Sequence, residues 1–267
     1  MKIELLGGTT KEELEKRIQV VASAGKLSRF PGNAFEVLEA SNDYDSNLKI
    51  IKRIIKMGHK SIIEHDYLVF GICDVTPIIE QTIIGMRLSS FTIKSRREVD
   101  FRTAGFYIPE FRDKSGNIHK KNEELKQKYK EHMQELFNIY AEIKDSEIPG
   151  EDARFVLPYC FHSNIIMGID ARQLEKLIVA FTKSNLSKIS ELKEFGEKMY
   201  EIAEKYVPYI IPGIDEVEEN LETPFEFLEE KSKRPKIEIL QKTKMVSHTN
   251  NSDEVVILSY IMYHYQC

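Results

Sequence analysis

The alternation of apolar and polar positions divides the chain into short strands and long amphipathic helices. Lys2-Ile3-Glu4-Leu5-Leu6 reads as an opening strand. Thr10 with Glu13 three residues later forms a capping-box pair, and Leu14, Ile18 and Val21 then mark one face of a helix that Gly25 is expected to end. The segment from Arg29 to Ala34 contains Pro31 and Gly32 and reads as a loop. Leu48, Ile51, Ile54 and Ile55 recur at helical spacing up to Gly58. Tyr67-Leu68-Val69-Phe70-Gly71-Ile72 is rich in β-formers and predicts a strand. Pro77 suits the first turn of a following helix, along which Ile79, Ile83 and Met86 line one side.

In the second half the clearest helix covers Asn122–Ile143, where Leu125, Tyr129, Met133, Leu136, Tyr140 and Ile143 recur at three and four. Its other face is Lys and Glu, a solvated surface. Arg154–Ile166 is almost continuously apolar apart from Pro158, which suggests a strand. Asp170 can cap a helix carrying Leu174, Leu177, Ile178 and Phe181, and Ile189, Leu192, Phe195, Met199 and Ile202 mark another. Long helices with few strands predict an α+β domain over residues 1–215, with a central sheet. Residues 216–235 are acidic, then basic, and read as a charged linker or arm. Residues 236–267 form a C-terminal strand–helix extension whose opening, Lys236-Ile237-Glu238-Ile239-Leu240, closely repeats Lys2-Ile3-Glu4-Leu5-Leu6. It reads either as the start of a second repeat or as a terminal strand and helix packed on the main domain.

At 267 residues the chain can bury a substantial core. Its net charge of −5 argues against general nucleic-acid binding, so no DNA or RNA partner is expected and any anion site must be a local basic pocket. No apolar run approaches the length of a membrane helix, and the N-terminus lacks a signal-peptide pattern, so a cytoplasmic protein is expected. Three scattered cysteines, Cys73, Cys160 and Cys267, suit neither a disulfide framework nor a zinc site. Free thiols and no metal are expected.

The stretch Gly85–Arg97 concentrates candidate chemistry. It places Arg87, Lys94, Arg96 and Arg97 beside Ser89, Ser90 and Ser95 at the end of an apolar helix. Forked arginine donors and short serine hydroxyls suit a phosphorylated ligand. A solvated basic loop has the same composition.

Within this stretch Arg87, seven residues, Ser95, one residue and Arg97 resemble the signature of flavin-dependent thymidylate synthases, which reads Arg-His-Arg, seven residues, Ser, one residue, Arg. Gly85 and Met86 stand where that family has Arg and His. Gly58-His59-Lys60-Ser61-Ile62-Ile63-Glu64-His65 is similar to the family's Gly-His-x-Ser/Thr-x-x-Glu-His segment. Ala153-Arg154-Phe155-Val156-Leu157-Pro158 matches its Ala-Arg-x-x-Leu-Pro motif, and Asp170-Ala171-Arg172 replaces its Asn-x-Arg. The resemblance covers residues 2–212. It implies substrate contacts from Ser95, Arg97 and Arg154, and flavin contacts from His65, Arg87 and Arg172. Taken alone, Arg154 beside an apolar strand reads as a snorkelling surface arginine. By counting, the family's pyrimidine-reaching arginine falls at Phe181, or at Lys183 with two residues inserted, and its flavin-contacting histidine falls near Asn185.

The resemblance further implies a methyltransferase that reductively converts dUMP to dTMP, with FAD as cofactor and NADPH and methylenetetrahydrofolate as co-substrates, and with no cysteine nucleophile. It implies a homo-oligomer, a tetramer, with sites shared between subunits. The lost family residues leave a second reading open: a catalytically degenerate paralogue, or half of a tandem enzyme, that keeps a structural or nucleotide-binding role.

Overall fold

The computed structural model describes residues 1–7, 11–86 and 88–218. Four strands, β1 (Lys2–Leu5), β2 (Tyr67–Val75), β3 (Ser89–Ile93) and β4 (Ser163–Asp170), form one antiparallel sheet in the order β1-β2-β4-β3. The helices are α1 (Lys11–Leu27), α2 (Ala34–Glu39), α3 (Tyr44–Lys56), α4 (Pro77–Ile84), α5 (Asn122–Asp145), α6 (Gly150–Ala153), α7 (Ala171–Lys183), α8 (Ser190–Tyr206) and α9 (Ile211–Asp215). Tight helical turns cover Lys60–His65, Arg154–Val156 and Asn185–Lys188. The α+β class expected from the pattern is the class found. Residue 87, the chain beyond 218, including the 236–240 repeat, and Thr10 of the capping pair lie outside the described residues.

Strand alternation places the core. Leu68, Phe70 and Ile72 of β2 stand opposite Ile169, Met167 and Ile165 of β4, all buried on one face. Ile18, Val21, Ile51, Ile79, Ile83, Leu174, Ile178, Phe195 and Met199 from the helices cover that face. A separate apolar cluster joins Phe101, Phe137, Tyr140, Ala153 and Phe161, with the Phe101 and Phe161 rings edge to face at 5.3 Å. The Tyr140 hydroxyl accepts the Phe101 amide at 3.2 Å. This second cluster joins the segment after β3 to α5 and α6.

Three local expectations are corrected. Gly25 does not end α1, which runs on to Leu27; a Cβ at position 25 would stand 2.5 Å from Ile54 Cδ1, so the glycine lets α1 and α3 approach. The middle of the basic stretch is no helix-end loop but strand β3, with Phe91 and Ile93 packed on the core and Ser90 and Thr92 outward. Arg154 sits on a helical turn rather than beside a strand, since Pro158 and the turn after it delay β4 to Ser163. Cys73 and Cys160 are free. Among the described residues no helix is long and apolar enough to cross a membrane, and no His, Cys, Asp and Glu group could hold a metal ion.

Candidate functional site

Strand register divides the candidate residues between two ends of the sheet. Tyr67 pairs with Asp170 and Ser89 with Ile169, so the turn before β2, the start of α7 and the entry to β3 meet at one end. His65 closes that turn and is exposed. Arg172, in the first turn of α7, is half-exposed and its Nη1 pairs with the Glu64 carboxylate. Asp170 caps α7 by accepting the Gln173 amide at 2.9 Å, and burial pushes its carboxyl above the usual value. Arg87 lies outside the described residues.

Behind His65 a buried carboxylate fixes the floor. Asp66 receives Arg17 Nε at 2.6 Å and Nη2 at 3.0 Å, and also accepts the Tyr209 hydroxyl. Burial and the Asp66 charge hold that phenol well above its usual range. Arg17 Nη1 is buried without a hydrogen-bond partner among the described residues. Glu13, Lys16, Arg17, Val20 and His65 line an open hollow of about 320 Å³. The Arg17 charge is already matched by Asp66, so what the hollow offers an anionic group is N–H donors, from Arg17 Nη1 and Lys16, rather than net positive charge.

At the other end Ile93 pairs with Ile165, and the Lys94 amide donates to the Asn164 carbonyl at 3.0 Å. The chain then turns. Ser95 Oγ accepts the Arg97 amide at 3.3 Å and the Glu98 amide at 3.4 Å. Arg97 points into solvent, whereas Arg96 turns inward. Arg96 Nη2 lies 3.2 Å from Glu80 Oε2, and its guanidinium carbon lies 5.3 Å from the Phe161 ring centre. Arg154 follows α6, with Nε donating to the Glu151 carbonyl at 3.1 Å and its guanidinium 5.5 Å from the Phe155 ring centre. The Gly150 backbone packs directly on the Arg97 carbonyl, so the Ser95–Arg97 turn and the helix bearing Arg154 are neighbours.

The structure therefore brings the segments of Ser95, Arg97 and Arg154 together, and those of His65 and Arg172 together, but leaves the two groups at opposite ends of β3. The positions that depart from the family motif are equally definite. Phe181 is buried against Phe195, ring centres 5.6 Å apart, with Gly196 fitted under it. Lys183 is half-exposed and Asn185 opens a helical turn. Gly85 is exposed and Met86 packs on the core. Sequence reasoning missed Arg17 and Glu80; it named Arg96 in the basic stretch and Glu64 in the motif but not their partners, Glu80 and Arg172. Glu80 carried a signal: it is the only ionisable residue of α4, three positions before the core residue Ile83 on the same helix face.

The sequence model of the thymidylate synthase complementing protein family matches residues 12–209. The flavin-dependent thymidylate synthase of Geobacter sulfurreducens is 31% identical over 176 residues, 65% of this chain and 70% of that protein. That of Thermococcus onnurineus is 29% identical over 168 residues, 61% of this chain and 65% of that protein. The matches thus span about two thirds of those relatives' length. Among solved structures, a UMP/dUMP methylase, PolB from Streptomyces cacaoi bound with 5-Br dUMP, superposes with a TM-score of 0.60 at 21% identity. It covers 78% of this chain and 92% of that one, a likeness of fold.

Proposed function

Because the chain belongs to the thymidylate synthase complementing protein family, we propose that it acts as a flavin-dependent thymidylate synthase that methylates dUMP to dTMP. Methylenetetrahydrofolate supplies the carbon and NADPH the reducing equivalents, within the cytoplasm. FAD, when bound, supplies the hydride. The reading assigns domain 1–215 to this activity, and leaves 216–235 and 236–267 as linker and extension.

One observation carries the nucleotide half: Gly150 packs on the Arg97 carbonyl and so sets the Ser95 turn beside Arg154. Arg97 and Arg154 offer forked donors to a phosphate, and Ser95 fixes the turn that presents Arg97. At the other end His65 and Arg172 face the flavin, with Arg87 inheriting the same role. The donor surface there fits an anionic cofactor: Arg17 has a buried N–H without a partner among the described residues, and Lys16 and His65 line the same hollow. Arg172 must share or exchange its Glu64 partner to reach such a group. Because the two halves lie at opposite ends of β3, the working form is a homo-oligomer in which different copies complete one site, and a tetramer is the proposed state.

A specific observation favours a second reading, a half-catalytic paralogue. The position counted as the family's pyrimidine-reaching arginine is a core phenylalanine, Phe181, whose side chain is packed between α7 and α8. The test is the visible absorbance of the purified protein together with tritium release from labelled dUMP in the presence of FAD, NADPH and methylenetetrahydrofolate. Tritium release supports the synthase. Bound flavin with nucleotide affinity but no release supports the paralogue. A colourless protein without dUMP affinity overturns both.

A further inference from the structure

Glu80 lies on α4, is 2% exposed and has no role in the reading above. Its Oε2 stands 3.2 Å from Arg96 Nη2, while Oε1 is buried without a hydrogen-bond partner among the described residues. A half-satisfied buried carboxylate is a poor stabilising device; an apolar side chain here would simply extend the face of Ile79 and Ile83. What the carboxylate does achieve is directional. It draws the Arg96 guanidinium inward onto the Phe161 ring, and the next residue, Arg97, faces outward. It also neutralises Arg96, so that of two adjacent arginines only Arg97 is offered to an anion.

The geometry points to Glu80 as a positioning residue for the nucleotide: by holding Arg96 it sets the Ser95–Arg97 turn so that Arg97 presents its guanidinium to the substrate phosphate. The inference rests on the nucleotide-side assignment proposed above. The turn then has three anchors: the Lys94 amide on Asn164, the Arg96 side chain on Glu80, and the Arg97 carbonyl under Gly150. Removing the middle one frees the peptide that carries Arg97 while leaving β3 paired.

Two variants test this. Glu80→Gln keeps the shape and removes the charge. Glu80→Leu combined with Arg96→Met removes both partners, so no unpaired buried charge threatens folding. Each is measured by melting temperature, by amide hydrogen exchange at Arg97, Glu98 and Val99, and by calorimetric dUMP affinity with and without Arg97→Ala. Faster exchange at those amides is expected in both, with dUMP binding weakened about tenfold, the scale of one lost charge-assisted contact. Arg97→Ala should then cost less affinity than it does beside an intact Glu80. The double variant should melt close to the unmodified protein. Unchanged exchange with unchanged dUMP affinity in a folded double variant overturns the role of Glu80 and leaves the nucleotide assignment standing. So does an Arg97→Ala effect of equal size in both backgrounds. Faster exchange in a protein that binds no dUMP before any substitution overturns the nucleotide assignment, and the positioning role falls with it.

Discussion

The backbone of Gly150 rests on the carbonyl of Arg97, so closely that a Cβ at position 150 would fall far inside van der Waals contact with that oxygen. Arg154 stands four residues further along the same short helical run. This contact ties two candidate phosphate-binding segments that are more than fifty residues apart in sequence.

Gly150→Ala must therefore push α6 away from the Ser95–Arg97 turn. Overpacking of this kind costs about 1–3 kcal/mol. A lower melting temperature is expected, together with roughly tenfold weaker dUMP binding. If affinity holds while the melting temperature falls, the two segments do not act on one ligand.

Arg154 uses Nε on the Glu151 carbonyl, which orients the guanidinium without consuming its forked end. Arg154→Ala is expected to weaken dUMP binding by about 1.5–3 kcal/mol, the worth of a charge-assisted hydrogen bond. Flavin affinity should stay the same. Calorimetry giving equal dUMP affinity for both proteins would remove Arg154 from the site.

How far the sequence discloses this site depends on the kind of signal. Periodicity located α1, α3, α5, α7, α8, β2 and the Asp170 cap, because each has an unbroken apolar repeat or a capping residue at its start. It missed β3, whose inward positions include Ser89 as well as Phe91 and Ile93, so that a serine pair masks the alternation. It misread Gly25, since a glycine that permits helix contact looks the same in sequence as one that ends a helix. Motif spacing picked out Ser95, Arg97 and Arg154. The inward turn of Arg96 onto Glu80 is a pairing between distant segments, and the register that places His65 and Arg172 at the far end of the sheet is a property of strand pairing; neither is written in local pattern.

The positions that depart from the family motif differ in what they can accept. At Gly85 an added Cβ meets nothing closer than the Thr82 carbonyl at 3.6 Å, so Gly85→Arg should leave the melting temperature unchanged and strengthen FAD binding in a flavin titration. Phe181→Arg should instead lower stability by at least about 3 kcal/mol, because it buries a charge against Phe195 with no partner. A stable Phe181→Arg protein with raised turnover would show that this helix face can turn toward the substrate.

Glu191 links α8 to α4 by accepting the Thr76 amide at 2.8 Å and the Thr76 hydroxyl at 2.6 Å. Burial raises its carboxyl above the usual glutamate value, against the opposing pull of the Thr76 hydrogen bonds. A folded-state value above the unfolded one means that the folded protein holds the proton more tightly. The stabilisation is full below the unfolded value and is lost as pH rises through the folded one. Glu191→Gln should flatten that part of the stability profile. Denaturant melts across the window between the two values check it, and an identical slope in both proteins would exclude Glu191 as its source.

Ser89 pairs with Ile169 and Ile93 with Ile165, so four residue steps, roughly 13 Å, separate the His65–Arg172 end from the Ser95–Arg97 end before any side chain is added. One chain thus anchors the flavin and the nucleotide at separate places. If a second copy completes each site, light scattering should report a species heavier than 31.0 kDa. Subunit mixing tests the arrangement directly. Arg97→Ala damages only the nucleotide half and Arg172→Ala only the flavin half. Each variant alone should lose the dUMP-dependent change in flavin absorbance. After random re-association of equal amounts, a shared site joins two intact halves about a quarter of the time, so about a quarter of the original signal should return. If each site instead draws both halves from one chain, every site keeps one damaged half and mixing returns nothing.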